Sequence, residues 1–98
     1  MTLPVIFHDL AENELNEAAA YYAHARPSLG EAFLVEVQHA VDALVAAPLV
    51  GQAVDGDVRW WLVRRFPYSV FYRIREDQIR ILAIGHQKRR PFYWRGRR

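Results

Sequence analysis

Hydrophobic and polar positions along the chain change their period twice. Leu3 to His8 (LPVIFH) is a short apolar stretch that predicts a strand, with Pro4 confining it to a sheet edge or a strand start. Asp9 then opens a helix, since Asp9-x-x-Glu12 has capping-box spacing with Asp in place of Ser or Thr. Leu10, Leu15, Ala18, Ala19 and Tyr22 form its apolar stripe, Glu12, Asn16 and Glu17 lie elsewhere on the wheel, and Pro27 ends it near Ala25 or Arg26. Ser28-Leu29-Gly30-Glu31 is a second capping box. Behind it Phe33, Val37, Ala40, Val41 and Leu44 share one helical face, up to a stop before Pro48. So short a connection predicts an antiparallel helical hairpin.

After Pro48 the period changes to two. Leu49 to Asp57, with Gly51, Gly56 and two aspartates, reads as a loop, and Val58 to Arg65 as a strand. The run Arg64-Arg65-Phe66-Pro67 breaks it, because Pro67 excludes Phe66 from the α region and itself donates no ladder hydrogen bond. Alternation resumes with Tyr68, Val70, Tyr72 and Ile74 on one side and Ser69, Phe71, Arg73 and Arg75 on the other. Glu76-Asp77-Gln78 is a tight polar connection, and Ile79 to His86 is an almost continuous apolar run, the mark of a central strand. The expected fold is α+β in one domain spanning residues 1–98. It comprises an N-terminal strand, a helical hairpin, and a three-stranded antiparallel sheet, in the order β-α-α-β-β-β.

Charge sharpens this picture. Residues 1–58 hold one basic residue, Arg26, against nine acids, and residues 59–98 hold twelve basic residues against Glu76 and Asp77. Halves of net −8 and +10 that share one core make a molecule with an acidic and a basic side. Unless the two neutralise each other, the basic side favours an anionic partner, nucleic acid or an acidic peptide. The stretch from Lys88 to Arg98 has six cations, no acid and the aromatic triplet Phe92-Tyr93-Trp94. It reads as a surface for phosphate and bases or for a peptide, with packing of Trp94 over the sheet edge as the alternative for that residue. The absence of cysteine excludes disulfide and thiolate chemistry. No apolar run approaches the ~20 residues that span a bilayer, and no signal-peptide pattern opens the sequence, so a cytoplasmic protein without membrane contact is expected.

Catalytic signals are sparse. His8, His24, His39 and His86 lack metal-ligand spacing, and there is no phosphate loop or nucleophile elbow, so neither metal nor cofactor is expected. One constellation has chemical potential. His86 beside Arg64, Arg65, Arg89, Arg90 and Tyr93 combines a general base with guanidiniums that could offset charge on a phosphate attacked by the adjacent 2′-hydroxyl.

The residues resemble a family, the RelE/ParE toxins of toxin–antitoxin modules, over nearly the whole chain. The resemblance rests on "YYAHARPSLGEAFLVEVQHAVDALVAAPLVG", with Pro27-x-Leu29-Gly30-x-x-Phe33 and Pro48-x-x-Gly51. It continues in "RRFPYSVFYRI" (Arg64 to Ile74) and "ILAIGHQKRRPFYWRGR" (Ile81 to Arg97). It implies the fold already derived and a cognate antitoxin, acidic or partly disordered, to which Trp60, Trp61, Phe71 and Trp94 are assigned. The RelE-like branch cleaves messenger RNA in the ribosome; the ParE-like branch binds DNA gyrase. The lysines and arginine that serve RelE-like nucleases align with Trp60, Leu62 and Ser69, none of which supplies the charge, while Tyr93, with Arg89, keeps matching spacing. The resemblance therefore implies a ParE-like, binding toxin. Arg64, Arg65, Tyr68, Tyr72, Arg89, Arg90, Tyr93, Arg95, Arg97 and Arg98 are its expected target contacts. The alternatives are a ribosome-dependent mRNA interferase carried by His86, Arg89 and Tyr93, and a nucleic-acid-binding domain without toxicity.

Overall fold

Why each helix begins where it does follows from one backbone residue in each case. The computed structural model describes residues 2–98. β1 (Val5–Phe7) leads into α1 (Asp9–Ala25), whose N-cap is His8. The His8 Nδ1 accepts the Leu10 N–H at 3.1 Å, so the imidazole does the capping expected of Asp9, which is already helical. α2 (Pro27–Ala46) starts directly after Arg26, an extended residue that ends one helix and begins the next. Pro27, with no N–H to satisfy and φ preset for a helix, starts α2 before Ser28, which consequently lies inside the helix and not at its cap. The hairpin closes tightly at Gly30, where a Cβ would come within 2.7 Å of the Ala23 Cβ. Leu10 is 46% exposed, off the buried stripe, and Ala11 takes the inward position beside Ala18.

The sheet is larger than the sequence predicts. β2 (Gln52–Asp55), β3 (Val58–Leu62), β4 (Tyr68–Arg75) and β5 (Gln78–His86) join β1 in a five-stranded mixed sheet of order β1-β5-β4-β3-β2. Two differences from a three-stranded antiparallel sheet stand out. β1 pairs in parallel with β5 (Val5 opposite Ile79, Phe7 opposite Ile81), the helical hairpin lying in sequence between β1 and the other strands. Within the expected loop 49–57, β2 pairs antiparallel with β3 around the two-residue turn Gly56-Asp57, where Gly56 takes φ +56°. β3 also stops at Leu62 and not at Arg65. Arg65 adopts φ +71°, which breaks the extended run, and the Val63 N–H bonds back to the Tyr68 carbonyl at 2.9 Å. Glu76 and Asp77, both at positive φ, make the tight turn between β4 and β5.

Both faces of β5 are covered from Ile81 to Gly85, which explains its almost continuous apolar run. Toward the helices Ile79, Ile81 and Ile84 pack with Phe33, Val37, Val41, Leu44, Val70 and Tyr72. On the outer face Leu82 and Ala83 pack with Val58 and Trp94. A register shift makes this possible: Phe71 pairs with Ala83 but Tyr72 with Ile81, so Leu82 is the extra residue of a bulge.

Tyr72 is part of this core, fully buried and so withdrawn from any partner surface. Its hydroxyl donates to the Pro48 carbonyl at 2.7 Å and accepts the Gly51 N–H at 2.9 Å, tying the end of α2 to β4. Gly51 must be glycine here, since a Cβ would lie 2.5 Å from the Tyr72 hydroxyl. Tyr72→Phe leaves the buried Gly51 N–H without its acceptor. It is expected to cost about 1–3 kcal/mol, read as a lower denaturant midpoint with unchanged slope.

Candidate interaction site

Beyond β5 the chain has no regular element, yet it is held. The Gln87 N–H bonds to the Pro67 carbonyl at 2.9 Å. Successive turns (Tyr93 to Arg90, Arg95 to Phe92, Arg97 to Trp94) then fold residues 87–98 back across the outer face of the sheet. Trp94 is 3% exposed, its ring centroid 5.2 Å from that of Phe71. The packing reading of Trp94 therefore holds in the free chain, and the residue is not displayed for a partner.

Glu14, on α1, ties this arm down. Its Oε1 accepts from the Arg97 Nη1 at 2.9 Å and from the Ile84 N–H at 3.1 Å, and its Oε2 accepts from the Arg97 Nη2 at 3.1 Å. The same Arg97 donates to the Leu82 carbonyl at 3.0 Å. Arg89 stacks 3.8 Å above the Tyr93 ring, with Arg97 at 5.1 Å from the same ring, and Arg89 reaches 3.9 Å from Glu14. The Tyr93 hydroxyl is buried, and the neighbouring Glu14 carboxylate does not meet hydrogen-bond geometry with it. Burial pushes this phenol well above its ordinary range, the Glu14 charge adding to the shift and the two arginines opposing it. Gly85 makes room beneath, since a Cβ there would lie 2.9 Å from the Tyr93 hydroxyl.

Between the arm and β3 runs an open groove of about 300 Å³, mainly apolar, with Trp60, Leu62, Phe71 and Phe92 on its walls and Arg89 and Arg90 at its rim. His86 also lines it; its ring stands edge-on to Tyr68 at 5.1 Å, and its Nδ1 accepts the Lys88 N–H at 3.0 Å. A second hollow of about 440 Å³ continues past Trp60 and Leu62 to Trp61, Val50 and Arg64. The structure thus brings Trp60, Phe71, His86, Arg89 and Arg90 together and places Trp61 and Arg64 next to them. Leu62, 59% exposed, and Phe92, 38% exposed, belong to the same surface although neither was a candidate for it.

Other candidates lie elsewhere. Arg65 faces α2, 3.8 Å from Glu36, and Tyr68 packs with Phe33 and Tyr22. Arg95 pairs with Asp55 at 3.0 Å and stacks on Phe92, and the Arg98 carbonyl accepts from Arg80. Arg97 is committed to Glu14. Mutual neutralisation between the acidic and basic halves is therefore partly real: Glu14, Glu36, Asp55 and Asp57 engage Arg97, Arg89, Arg65, Arg95 and Arg73. Arg64, Lys88 and Arg90 are exposed and make no ion pair among the described residues. Among the described residues no group of three His, Cys, Asp or Glu could hold a metal ion, and no helix is long and apolar enough to cross a membrane.

Fold and surface together define a small α+β domain with a basic arm over one sheet face and an aromatic groove beside it. Residues 5–91 match the family described as the ParE toxin of type II toxin-antitoxin system, parDE. Toxin ParE2 of Mycobacterium tuberculosis, in strains CDC 1551 / Oshkosh and ATCC 25618 / H37Rv, is 30% identical over 92 residues, covering 93% of this chain and 88% of the relative. A chain of the chromosomal ParDE TA system from P. aeruginosa shares the fold with a TM-score of 0.75 at 22% identity, covering 86% of this chain and 95% of that one. The class is that of type II toxin–antitoxin toxins. This chain belongs to the ParE toxin family.

Proposed function

We propose that this ParE-type toxin acts by binding, with DNA gyrase as its target and a cognate antitoxin as the protein that neutralises it. The observation that carries the binding reading is the state of the groups a nuclease would need. The His86 Nδ1 is occupied by the Lys88 N–H, and the Tyr93 hydroxyl is buried away from the surface. Trp60, Leu62 and Ser69, where charge would be needed to move protons or steady a phosphate, supply none. What the surface does offer is apolar area with cations at its edge. Trp60, Leu62, Phe71 and Phe92 give a docking strip for the apolar face of an antitoxin segment, and Arg89 and Arg90 meet its acidic residues. The same two arginines, with Arg64, face the target, so antitoxin and target compete for one surface.

The test is to express the chain alone under tight induction. DNA supercoiling by purified gyrase is then measured beside translation-dependent cleavage of a reporter mRNA. Loss of supercoiling with intact mRNA is the expected result, unchanged in His86→Ala. Cut mRNA with active gyrase overturns the reading and returns His86, Arg89 and Tyr93 to a catalytic role.

A further inference from the structure

We infer that Glu14 is a positioning residue: from α1 it latches residues 87–98 in the conformation that presents Arg89 and Arg90 at the groove. The geometry of the latch stands by itself, and its consequence for target inhibition rests on the binding reading above.

Three observations carry it. First, Glu14 is the meeting point of otherwise separate parts of the fold: its carboxylate joins α1 to the Ile84 N–H of β5 and, through both oxygens, to Arg97. A two-pronged charged bond of this kind fixes direction as well as distance. Second, the pair is sheltered, with 13% of the Glu14 side chain and 12% of the Arg97 side chain exposed, whereas the other arginine–carboxylate pairs leave at least one partner much more open. Sheltering raises what is lost when one member is removed. Third, the Tyr93 ring links the latch to the surface: Arg97 lies on it at 5.1 Å and Arg89 at 3.8 Å, so the bond that fixes Arg97 also sets the ring on which Arg89 rests. Arg90 follows Arg89 directly, and the Tyr93 N–H closes the turn back to its carbonyl.

Without the carboxylate, Arg97 does not stay buried and unpaired, because the segment past Trp94 can carry it into water. The expected result is thus a loosened arm on an intact fold. Glu14→Gln keeps an oxygen for the Ile84 N–H and removes the charge. In this variant hydrogen exchange of residues 87–98, and tryptic cleavage after Lys88 and Arg95, should accelerate about tenfold, with β4 and β3 amides unchanged. Inhibition of gyrase supercoiling should weaken by about the same factor in Glu14→Gln and in Arg97→Gln. The double variant should be no worse than either single one, the signature of one shared interaction. Glu14→Asp, which keeps the charge on a shorter stem, should recover part of the loss.

Unchanged exchange in residues 87–98 of Glu14→Gln overturns the latch. A loosened arm with undiminished inhibition overturns its positioning role, and acceleration throughout the sheet with a lowered unfolding midpoint reduces Glu14 to a general structural contact. If the unaltered chain fails to inhibit gyrase, the proposed target falls, while the exchange measurement still decides the latch.

Discussion

Phe33→Ala is expected to remove about 3–5 kcal/mol of folding stability, the largest loss of any single substitution considered for this chain. Phe33 is fully buried on the inner face of α2, and three aromatic rings close on it. Phe66 stands edge-on at 5.2 Å, Tyr68 at 5.1 Å, and Tyr22 lies tilted at 5.3 Å. Those rings come from α1, from the turn after β3 and from β4, so the cavity left by alanine would be walled by three separate elements. None can collapse into it without moving a backbone. Truncation thus forfeits both the transfer energy of the ring and the contacts of its neighbours. Domains of this size have total stabilities of roughly 5–15 kcal/mol, so the variant would be marginal. The measurement is chemical or thermal unfolding; each kcal/mol is worth about 4–8 °C in a domain of this length. An unchanged midpoint would show that the helical hairpin does not form the core it is assigned. Tyr68 also meets His86 edge-on, where the arm begins, so loosening here should raise exchange in residues 87–98 as well.

The elements that were legible in the sequence are those with a long, consistent period. The stripe Phe33, Val37, Ala40, Val41 and Leu44 is buried throughout, and β4 alternates as expected, with Tyr68, Val70 and Tyr72 toward the helices and Phe71 toward the outer face. β2 was missed because Gln52-Ala53-Val54-Asp55 is four residues long with little apolar content. It lies at a sheet edge, where pairing needs only one hydrogen-bonded side. The Gly56-Asp57 pair before β3 was the available signal, since glycine at the first position of a two-residue loop suits a hairpin turn. The parallel pairing of β1 left no local trace, since three residues specify neither partner nor direction. The site was legible as composition and not as geometry. A run of six cations announced a basic surface, but which of them are free depends on acids far away in sequence. Arg97 and Glu14 are 83 positions apart, and nothing in the sequence sets Glu14 apart from Glu12 and Glu17 on the same helix as the partner of Arg97. Leu62 and Phe92 carried a different signal, apolar side chains that three-dimensional packing leaves uncovered.

Replacing Arg89 and Arg90 together by glutamine should therefore act on association and barely on folding. Arg90 makes no ion pair among the described residues, and Arg89 is half exposed and stands 3.9 Å from a carboxylate already held by Arg97. Neither contributes a buried contact comparable to that of Arg97. Their charges instead sit at the rim of an apolar groove, where they act on an approaching acidic partner before any contact forms. The association rate with antitoxin, and with gyrase, is expected to fall on the order of ten- to a hundredfold at low ionic strength. The difference should close toward about 1 M salt, where the Debye length is only ~3 Å. Arg95→Gln, already neutralised by Asp55, should lose much less. Stopped-flow association over a salt series separates the cases. A loss that persists at high salt would make the arginines contact residues in the bound state and not steering charges. A double variant whose rate and salt dependence match the parent would mean that no partner approaches across the arm, and that the groove of Trp60, Leu62, Phe71 and Phe92 is entered from the Arg64 side.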